Sequence, residues 1–423
     1  MAARHVHPVA GVGTPAEGAV PVAHQGPLLT IGAAASGQPA SGTRPAIDRD
    51  PDDVVRVTGY HEARTILGGP VVQAGFKAEL VLRMPSQMVP PVLYQDGEGH
   101  RDQRRQSARF FSPAVTDERH RPVMERYADE IVADFERAGM ADVGALATRM
   151  AVSVVGDVVG LSNSPRDGMA QRLGRILEAD LELGRSPRQL FNYVRMQFHV
   201  LRFYLHDVRP AIRARQREPL ADVISHLLSL GRRGPEILAE CIAYGAAGMV
   251  TTREFIAVVV WHCLRSPDMA AVMRGDDREE RYRLLHELLR LEPVVTRLYR
   301  RVIAAQPIPI DSGTMDLAAD DLVELDLVAI NGDSRAAGEE PWRIDHDREM
   351  PRGVPRSVLG FGAGPHRCAG EFIALAETDA FVRRILRAPN LRIETAPTIG
   401  RNETVKSYAV RGFIVRCDPR AAG

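Results

Sequence analysis

A single cysteine in a glycine-rich turn, directly ahead of an apolar helical pattern, constrains this chain more than any other feature. The segment runs from Phe361 to Gly370 with the sequence FGAGPHRCAG, and Cys368 is its only thiol. Glycines at 362, 364 and 370 allow left-handed or tightly turned backbone that other residues resist. Because free N–H groups and the positive dipole end of a helix favour a thiolate, the pattern predicts a ligating sulfur. The alternative for an isolated cysteine is a small buried hydrophobic residue.

The other cysteines, together with composition and charge, exclude several classes of protein. Cys241, Cys263 and Cys417 lie far apart with no CxxC pair, so a disulfide framework and a structural zinc site are not expected. With 54 basic and 54 acidic side chains, the chain has no global field to attract nucleic acid. No uninterrupted apolar run approaches the roughly 18 residues of a membrane span, and the N-terminus does not resemble a secretory signal. The sequence therefore predicts a cytoplasmic protein with neither nucleic acid nor membrane as partner.

Hydrophobic periodicity predicts a fold that is mainly α with small β sheets. Residues 1–45 are rich in Gly, Ala, Pro and Ser and are interpreted as an irregular arm, followed by one domain over 46–423. Residues 331–360 contain three prolines among many charges and are expected to form a long irregular meander. The predicted helices are 60–67, 97–110, 117–138, 142–161, 165–184, 188–217, 219–230, 235–265, 279–291 and 370–388. The predicted strands are 54–58, 298–303, 323–329 and 408–416.

The cysteine segment suits one axial bond from a thiolate to a large planar metal cofactor, since no second thiol is near. It resembles the haem-binding loop of the cytochrome P450 family, F-x-x-G-x-(H/R)-x-C-x-G. Phe361, Gly364, His366, Cys368 and Gly370 fill every fixed position of that pattern. The resemblance implies the single-domain cytochrome P450 fold, haem b held through Cys368, and the other four residues as cofactor contacts.

A second pattern of that family is Glu287-Leu-Leu-Arg290. Spaced i, i+3, the two side chains share a helix face and can form a charge-assisted pair. Alone, such a pair is more often a solvated face. The resemblance implies that Glu287 and Arg290 form a buried structural clamp beneath the haem, tied to the meander, with no catalytic role.

Four cations complete the resemblance by providing partners for the two haem carboxylates. His100 and Arg104 lie i, i+4 on a predicted helix, and Arg300 and His366 occupy the family's other usual positions. Two buried carboxylates need paired donors, because burying them alone would cost too much. The alternative for the His100–Arg104 pair is an exposed helix face.

The segment Ala246–Thr252, AAGMVTT, resembles the oxygen-binding part of the family's long helix, A-G-x-(D/E)-T. The resemblance implies that Ala247, Gly248 and Thr251 leave space for dioxygen and provide a hydroxyl. Close helix packing is the alternative reason for Gly248. Val250 replaces the usual acid, so proton delivery would use ordered water, a polar group of the substrate, or Glu254 one turn later.

The family positions also imply a substrate pocket and redox partners. No dinucleotide-binding G-x-G-x-x-G is present, so electrons are expected to come indirectly from NAD(P)H through a separate ferredoxin reductase and ferredoxin. The protein itself is expected to be a monomer. A basic docking patch of Arg101, Arg105, Arg109 and Arg367 is expected beside the cysteine, with a solvated face as the alternative. The predicted pocket residues, for which ordinary core packing is the alternative, are Met88, Val89, Val250, Val294, Val295, Thr296 and Arg297.

These patterns lead to one main functional hypothesis and several alternatives. The first is a bacterial P450 monooxygenase that uses O2 to hydroxylate or otherwise tailor a secondary metabolite, a small organic substrate. The missing acid at Val250 motivates a second, oxidative coupling or ring formation on an aromatic polyketide or cyclic peptide without oxygen insertion. A haem-binding or sensing protein without turnover and a peroxide-driven enzyme remain open.

Overall fold

Helices make up most of the chain. A computed structural model describes residues 20–21, 45–76, 78, 88–177, 186–311, 313–402 and 406–419. The α-helices are α1 Tyr60–Gly68, α2 Gly97–Ser107, α3 Arg121–Ala138, α4 Val143–Val159, α5 Arg166–Leu177, α6 Pro187–Phe203, α7 Arg209–Arg217, α8 Val223–Ser229, α9 Gly234–Arg265, α10 Pro267–Arg274, α11 Arg278–Leu291, α12 Leu327–Asn331, α13 Ser334–Ala337 and α14 Glu371–Ile385.

Shorter helical turns join several of these elements. A single α-turn covers Pro113–Val115, and 3₁₀ turns cover Val92–Tyr94, Ala108–Phe110 and Gly364–His366. Wide π-turns lie at Thr116–His120, at Tyr204–Val208 between α6 and α7, and at Ala246–Val250 inside α9.

The strands are short and form four small sheets. The five-stranded sheet has the order β2-β3-β9-β6-β4, and only its β3–β9 pair is parallel. The others have the orders β1-β11-β12, β10-β13-β5 and β7-β8. The strands are β1 Val20–Pro21, β2 Ile47–Arg49, β3 Val55–Val57, β4 Val71–Gln73, β5 Met140–Asp142, β6 Arg297–Val302, β7 Gln306–Ile310, β8 Gly313–Leu317, β9 Leu322–Asp326, β10 Arg392–Thr395, β11 Thr398–Asn402, β12 Ser407–Arg411 and β13 Ile414–Arg416.

Two hydrophobic clusters hold the molecule together. The larger is helical and is built where α9 packs against α4 and α14, and α14 against α3. The smaller joins α1 to the five-stranded sheet. The cysteine loop precedes α14 and touches α1, so it lies where the two clusters meet.

Helix α9 runs through the larger cluster. By length and composition it is the one described helix apolar enough to cross a membrane. More than half of that stretch is buried inside the protein, as in the core helix of a globular fold. The π-turn at Ala246–Val250 interrupts its regular hydrogen bonding, and such turns are frequent at functional sites.

The fold class predicted from periodicity, mainly α with small sheets, is confirmed, whereas several short elements were missed. Strands β7 and β8 were not predicted, because Pro307 and Pro309 interrupt any strand pattern. The predicted strand 323–329 ends at Asp326, whose carboxylate accepts from the Ala329 N–H at 3.1 Å and starts α12. The predicted strand 408–416 is divided at Gly412, where φ is +64°. Apart from Val20–Pro21, the predicted irregular arm lies outside the described residues up to 44.

Candidate functional site

The cysteine loop is closed by its own backbone. The Cys368 N–H donates to the carbonyl of Phe361 at 2.9 Å. Gly362 and Gly364 have φ of +68° and +69°, the left-handed region that favours glycine. A Cβ at Gly364 would lie 2.2 Å from the Leu67 carbonyl oxygen, so no side chain fits there against α1. These glycines therefore fix how the loop presents Cys368.

The Cys368 side chain is accessible to solvent although its sulfur lies deep among protein atoms. Burial raises the pKa of this thiol, while the Gly370 N–H bonded to the sulfur and the charges of Arg104 and Arg367 oppose the rise. A bound metal ion would have to favour the deprotonated sulfur, as metal coordination does.

Helix α2 and the cysteine loop bring two histidines and an arginine together on one side of this loop. The rings of His100, from α2, and His366, from the loop, stack with centroids 4.3 Å apart. The Nε2 atom of His366 lies 2.9 Å from a carboxylate oxygen of Asp96, and the Arg104 guanidinium donates to the Arg367 carbonyl at 2.6 Å. Burial, together with the neighbouring His366, lowers the pKa of His100 to about 4.

Arg300 is a buried cation that forms no ion pair with a described residue, although the charge of Asp96 acts on it. It stands on β6 directly opposite Gln73 of β4, donates to that side chain at 2.6 Å and to the Tyr299 carbonyl at 2.8 Å, and is 3% exposed. Among the described residues, no carboxylate lies within 4.0 Å of it. Burial lowers its pKa to about 10. A buried cation in this state is stabilised by a bound anion.

The predicted oxygen-binding residues lie at the π-turn of α9. Ala247 is exposed in the middle of a helix whose neighbouring residues are half-buried or buried. The Thr251 hydroxyl donates to the Ala247 carbonyl at 2.5 Å. A Cβ at Gly248 would lie 2.5 Å from a methyl carbon of Val155 on α4, so this glycine serves close helix packing.

Neither Val250 nor Glu254 provides an acid at this turn. Val250 is buried, as is Glu254, whose carboxylate pairs with Arg253 and with Arg411 at 2.8 Å and accepts from the Val410 N–H at 2.7 Å. Glu254 therefore ties α9 to β12, and the suggestion that it delivers protons is wrong. Its charge is already neutralised on two sides.

Glu287 and Arg290 form a buried pair on α11. Both carboxylate oxygens accept from the guanidinium, at 2.7 and 2.8 Å, and Arg290 is 0% exposed. Arg290 also donates to the Asn331 carbonyl at 2.9 Å, and Glu287 accepts from Arg348 at 3.3 Å and from the Asp345 N–H at 3.1 Å. The pair thus connects α11 to the meander after α13.

The predicted pocket residues fall into two groups. The apolar members Met88, Val89 and Val295 are half-buried, and Val294 is buried. The polar members bond to other parts of the protein. The Thr296 hydroxyl donates to the Lys406 carbonyl at 2.9 Å, and Arg297 pairs with Glu324 of β9 at 3.3 Å. The polar wall expected from Thr296 and Arg297 is therefore tied into neighbouring backbone and sheet.

Two acidic residues missed by the sequence analysis fasten the segment before α2. Glu236 and Glu240, one turn apart on α9, accept from the Val89 N–H at 3.1 Å and the Val92 N–H at 3.0 Å. Gln103 donates to the same oxygen of Glu240 at 2.6 Å, and the other oxygen is buried with no hydrogen-bond partner among the described residues. The sequence feature that could have identified these two residues is a pair of carboxylates at i, i+4 on an otherwise apolar helix.

Replacing Glu240 with glutamine is expected to remove part of the pH dependence of stability. Burial raises the pKa of Glu240 from the ordinary 4.5 to about 7. Between these values the folded state holds the proton and the unfolded chain does not, so the free energy of unfolding falls as pH rises from about 4.5 to about 7. Glu240→Gln should therefore increase the free energy of unfolding by about 3 kcal/mol at pH 8 and by much less at pH 5.

Glu236→Gln is the matched control for that measurement. The Arg233 N–H lowers the pKa of Glu236 and outweighs burial, so its substitution should destabilise the protein at pH 8. Denaturant unfolding at both pH values compares the two variants. Parallel pH profiles for Glu240→Gln and the unsubstituted protein would contradict the prediction.

The surroundings of Cys368 fit a large planar dianionic cofactor bound by one sulfur. A Cβ at Gly370 would meet nothing within 4 Å, Cys368 and Ala247 are exposed, and buried Arg300 forms no ion pair with a described residue. Across the described ranges no group of three or more His, Cys, Asp or Glu side chains is placed to hold a bare metal ion. The residues present therefore fit a haem and do not form an all-protein metal site.

Comparisons with known proteins agree with this geometry. A family model described as Cytochrome P450 matches residues 282–405. Cyclomarin C epoxidase CymV of Salinispora arenicola is 28% identical over 61% of this chain and 63% of its own length. Mycinamicin IV hydroxylase/epoxidase of Micromonospora griseorubida is 26% identical over 84% of this chain and 86% of its own length.

Among solved structures, that of CalO2 superimposes with a TM-score of 0.74 at 23% identity, covering 88% of this chain and 93% of that one. The hydroxylase HmtN, involved in himastatin biosynthesis, superimposes with a TM-score of 0.69 at 23% identity, covering 89% and 95%. The likeness to these structures shows that the fold is shared over nearly the whole of both chains.

Proposed function

Because this chain belongs to the cytochrome P450 family, we propose that it is a haem-thiolate monooxygenase that oxidises a small organic molecule. The substrate class we propose is a bacterial secondary metabolite, and the reaction is hydroxylation, epoxidation or related tailoring. Support comes from relatives whose names describe such steps, among them the cyclomarin C epoxidase and the mycinamicin IV hydroxylase/epoxidase.

One observation carries the proposal: an accessible Cys368 lies in the loop whose His366 bonds to Asp96, and the charge of that same Asp96 acts on the buried Arg300. Cys368 would hold haem b by its sulfur, with His100, Arg104, Arg300 and His366 around the carboxylates. When bound, a thiolate-ligated haem activates dioxygen for oxidation of a nearby substrate. The protein's own contribution is to position the sulfur, neutralise the carboxylates and shape the cleft beside Ala247.

The other predicted site residues would hold the surrounding structure or line the site. Glu287 and Arg290 would hold the meander, and the segment Met88–Val92 would form part of the substrate wall, fixed by Glu236 and Glu240. Thr251 would offer its hydroxyl within the cleft, where it now donates to the Ala247 carbonyl. Val250 places a hydrocarbon where a proton-delivering carboxylate would otherwise lie.

We also propose that electrons reach the site from NAD(P)H through a separate ferredoxin reductase and ferredoxin, that the protein is a monomer, and that it works in the cytoplasm. Arg101, Arg105 and Arg367 have exposed side chains close to the cysteine loop and suit docking of an acidic redox protein. Arg109 does not extend this patch, because it bonds to His226 at 3.0 Å and lies over the Phe110 ring.

Val250 favours one second function, oxidative coupling or ring formation without oxygen insertion. At the turn that carries Thr251, the described residues place no free carboxylate, since Glu254 is paired with Arg253 and Arg411. Two successive hydrogen-atom abstractions from a substrate need no oxygen transfer into the product. An aromatic polyketide or a cyclic peptide would be the substrate class.

Turnover under labelled dioxygen separates the two functions. A library of secondary metabolites is first screened for the spectral shift that follows displacement of water from the haem. The compounds that bind are then incubated with ferredoxin, reductase, NAD(P)H and ¹⁸O₂. One labelled oxygen atom per product molecule is expected for the monooxygenase. Products without label would identify the coupling reaction, and no product with any binder would refute both.

Replacing Val250 with glutamate is expected to raise the fraction of electrons that end in product, because a carboxylate at this turn can pass protons to the cleft. General acid catalysis contributes at least about 100-fold to many steps, so a severalfold gain in coupling is a conservative expectation. Product formed per NAD(P)H consumed is the measurement. Val250→Gln, of equal size without the acid, is the control, and equal coupling in the two variants would show that another proton route suffices.

A further inference from the structure

Helix α6 presents an apolar face to solvent. With the π-turn Tyr204–Val208 and α7, it forms one continuous helical segment from 187 to 217. The exposed apolar side chains follow the alternating three- and four-residue spacing of a coiled-coil seam. This α6 seam consists of Phe191, Val194, Phe198, Leu201 and Leu205, which are 64, 58, 55, 52 and 42% exposed.

The opposite face anchors the helix in the protein. Phe203 is fully buried, and buried Asp207 accepts from Arg172 of α5 at 2.5 and 2.7 Å. The helix start is fixed by a capping box in which Ser186 and Gln189 bond reciprocally. The α6 seam is therefore held on a preformed helix, and a partner would bind without the entropy cost of ordering it.

A stripe of arginines runs along one edge of the seam. Arg188, Arg195 and Arg202 recur every seven residues, and residues 187–206 contain no Asp or Glu. Although ion pairs are abundant in the protein, no carboxylate of a described residue lies within 4.0 Å of these three. Burial, together with Arg175, Arg195 and Arg202, lowers the pKa of His199 between them.

From the α6 seam and its arginine edge, we propose that this face docks an acidic amphipathic helix of another protein. Apolar residues of that helix would fill the seam, and its carboxylates would pair with Arg188, Arg195 and Arg202. The proposal goes beyond the catalytic function and does not depend on it. None of the residues around Cys368 lies on this segment, so the surface is distinct from the patch proposed for ferredoxin.

Charge argues against the other occupants. A second copy packed antiparallel about a two-fold axis would bring the two arginine stripes together, and a parallel copy would offer them no acid. Residues 1–44 of this chain contain one acidic residue, Glu17, and many Gly and Pro, so they lack the pattern of an acidic helix. Anionic lipid would attract the arginines, but an a/d seam is narrower than the usual apolar helix face of about 100° or more, so it fits a single helix better than a lipid surface.

The exposed apolar area of the α6 seam is large enough to form the central part of a protein interface. With Leu190, which is 62% exposed, the seam offers on the order of 500 Å² of apolar surface. A standard interface buries about 800 Å² on each partner, of which the central part is apolar and the rim charged. The α6 seam and the arginine stripe have these two parts in this arrangement.

The test uses the haem-loaded full-length protein and a synthetic probe. A fluorescent peptide with leucine at its a and d positions and glutamate at e and g is titrated against the protein by anisotropy. Saturable binding is expected, weakening by about tenfold or more from low to high salt because several charges pair. A scrambled peptide of the same composition should not bind.

Two sets of variants locate the site. The triple variant Arg188→Glu, Arg195→Glu, Arg202→Glu and the double variant Phe191→Ser, Phe198→Ser are each expected to weaken peptide binding about tenfold or more. Matched controls are Arg126→Glu on α3 and Ile303→Ser, which are comparably exposed and lie off the seam. Far-ultraviolet circular dichroism and the haem spectrum verify that each variant is folded.

Three outcomes would overturn the proposal. The first is equal affinity for the peptide in the seam variants and the unsubstituted protein, or no peptide binding at all. The second is seam-dependent co-sedimentation with phosphatidylglycerol vesicles without peptide binding, which would make the face a lipid-binding one. The third is a concentration-dependent dimer that Phe198→Ser dissociates, which would assign the seam to a second copy.

Discussion

Replacement of Cys368 with alanine is expected to abolish the carbon monoxide difference band of thiolate-ligated haem and all catalytic turnover. The loop places this sulfur alone at an accessible position, and the other three cysteines are buried. Because none of those can reach the same place without unfolding the core, no substitute thiolate would form. The measurements are the reduced carbon monoxide spectrum and product formation with saturating electron donors.

The other thiols supply the matched controls. Cys241→Ala and Cys263→Ala remove buried sulfurs from the helical core, and each should keep the difference band. Cys368→His should retain haem with a shifted spectrum, since an imidazole can also ligate iron. A thiolate band that survives in Cys368→Ala would refute the assignment of the ligand.

The second large effect is expected from Glu287→Ala, which should destabilise the protein by about 3–5 kcal/mol. The substitution leaves Arg290, which is 0% exposed, without its carboxylate partner and removes an acceptor from Arg348. Breaking a buried pair in this way leaves an uncompensated charge in a place that water cannot reach. Urea unfolding and haem content after purification measure the loss.

Glu130→Ala is the control for this loss, because Glu130 pairs with Arg126 on the surface of α3 and both side chains are more than half exposed. Its effect should stay within about 1 kcal/mol. If Glu287→Ala costs no more than Glu130→Ala, the pair on α11 is not a structural clamp. Double substitution of Glu287 and Arg290 should cost less than the sum of the single substitutions, since no charge is then left alone.

Local pattern predicted much of the secondary structure for a physical reason. Helices such as 235–265 and 279–291 bury one face or more, so apolar residues recur along their sequence at the helical spacing. Strands of two to five residues carry no comparable period, and β4, β10 and β11 were missed. The end of β9 was also misplaced, because the capping role of Asp326 depends on three-dimensional backbone geometry.

The candidate site likewise has one part that consecutive residues predict and another part that they do not. The motif around Cys368 is contiguous, and the left-handed glycines it needs are visible in the sequence. By contrast, Gln73 beside Arg300, Asp96 beside His366 and Glu240 beside Val92 are separated by 148 to 270 residues. Such partners are set by strand register and helix packing, which a single sequence does not display.

By itself, the sequence determined the fold class through its helical period, and the resemblance of its cysteine segment to the family motif supplied the hypothesis of a haem loop at Cys368. Only the tertiary structure decided that Arg300 forms no ion pair with a described residue, that Glu254 pairs with Arg253 and Arg411, and that the seam of α6 faces solvent. Each of these depends on which distant side chains share a buried space. The energy of a charge or an apolar surface is fixed by those neighbours and by access to water.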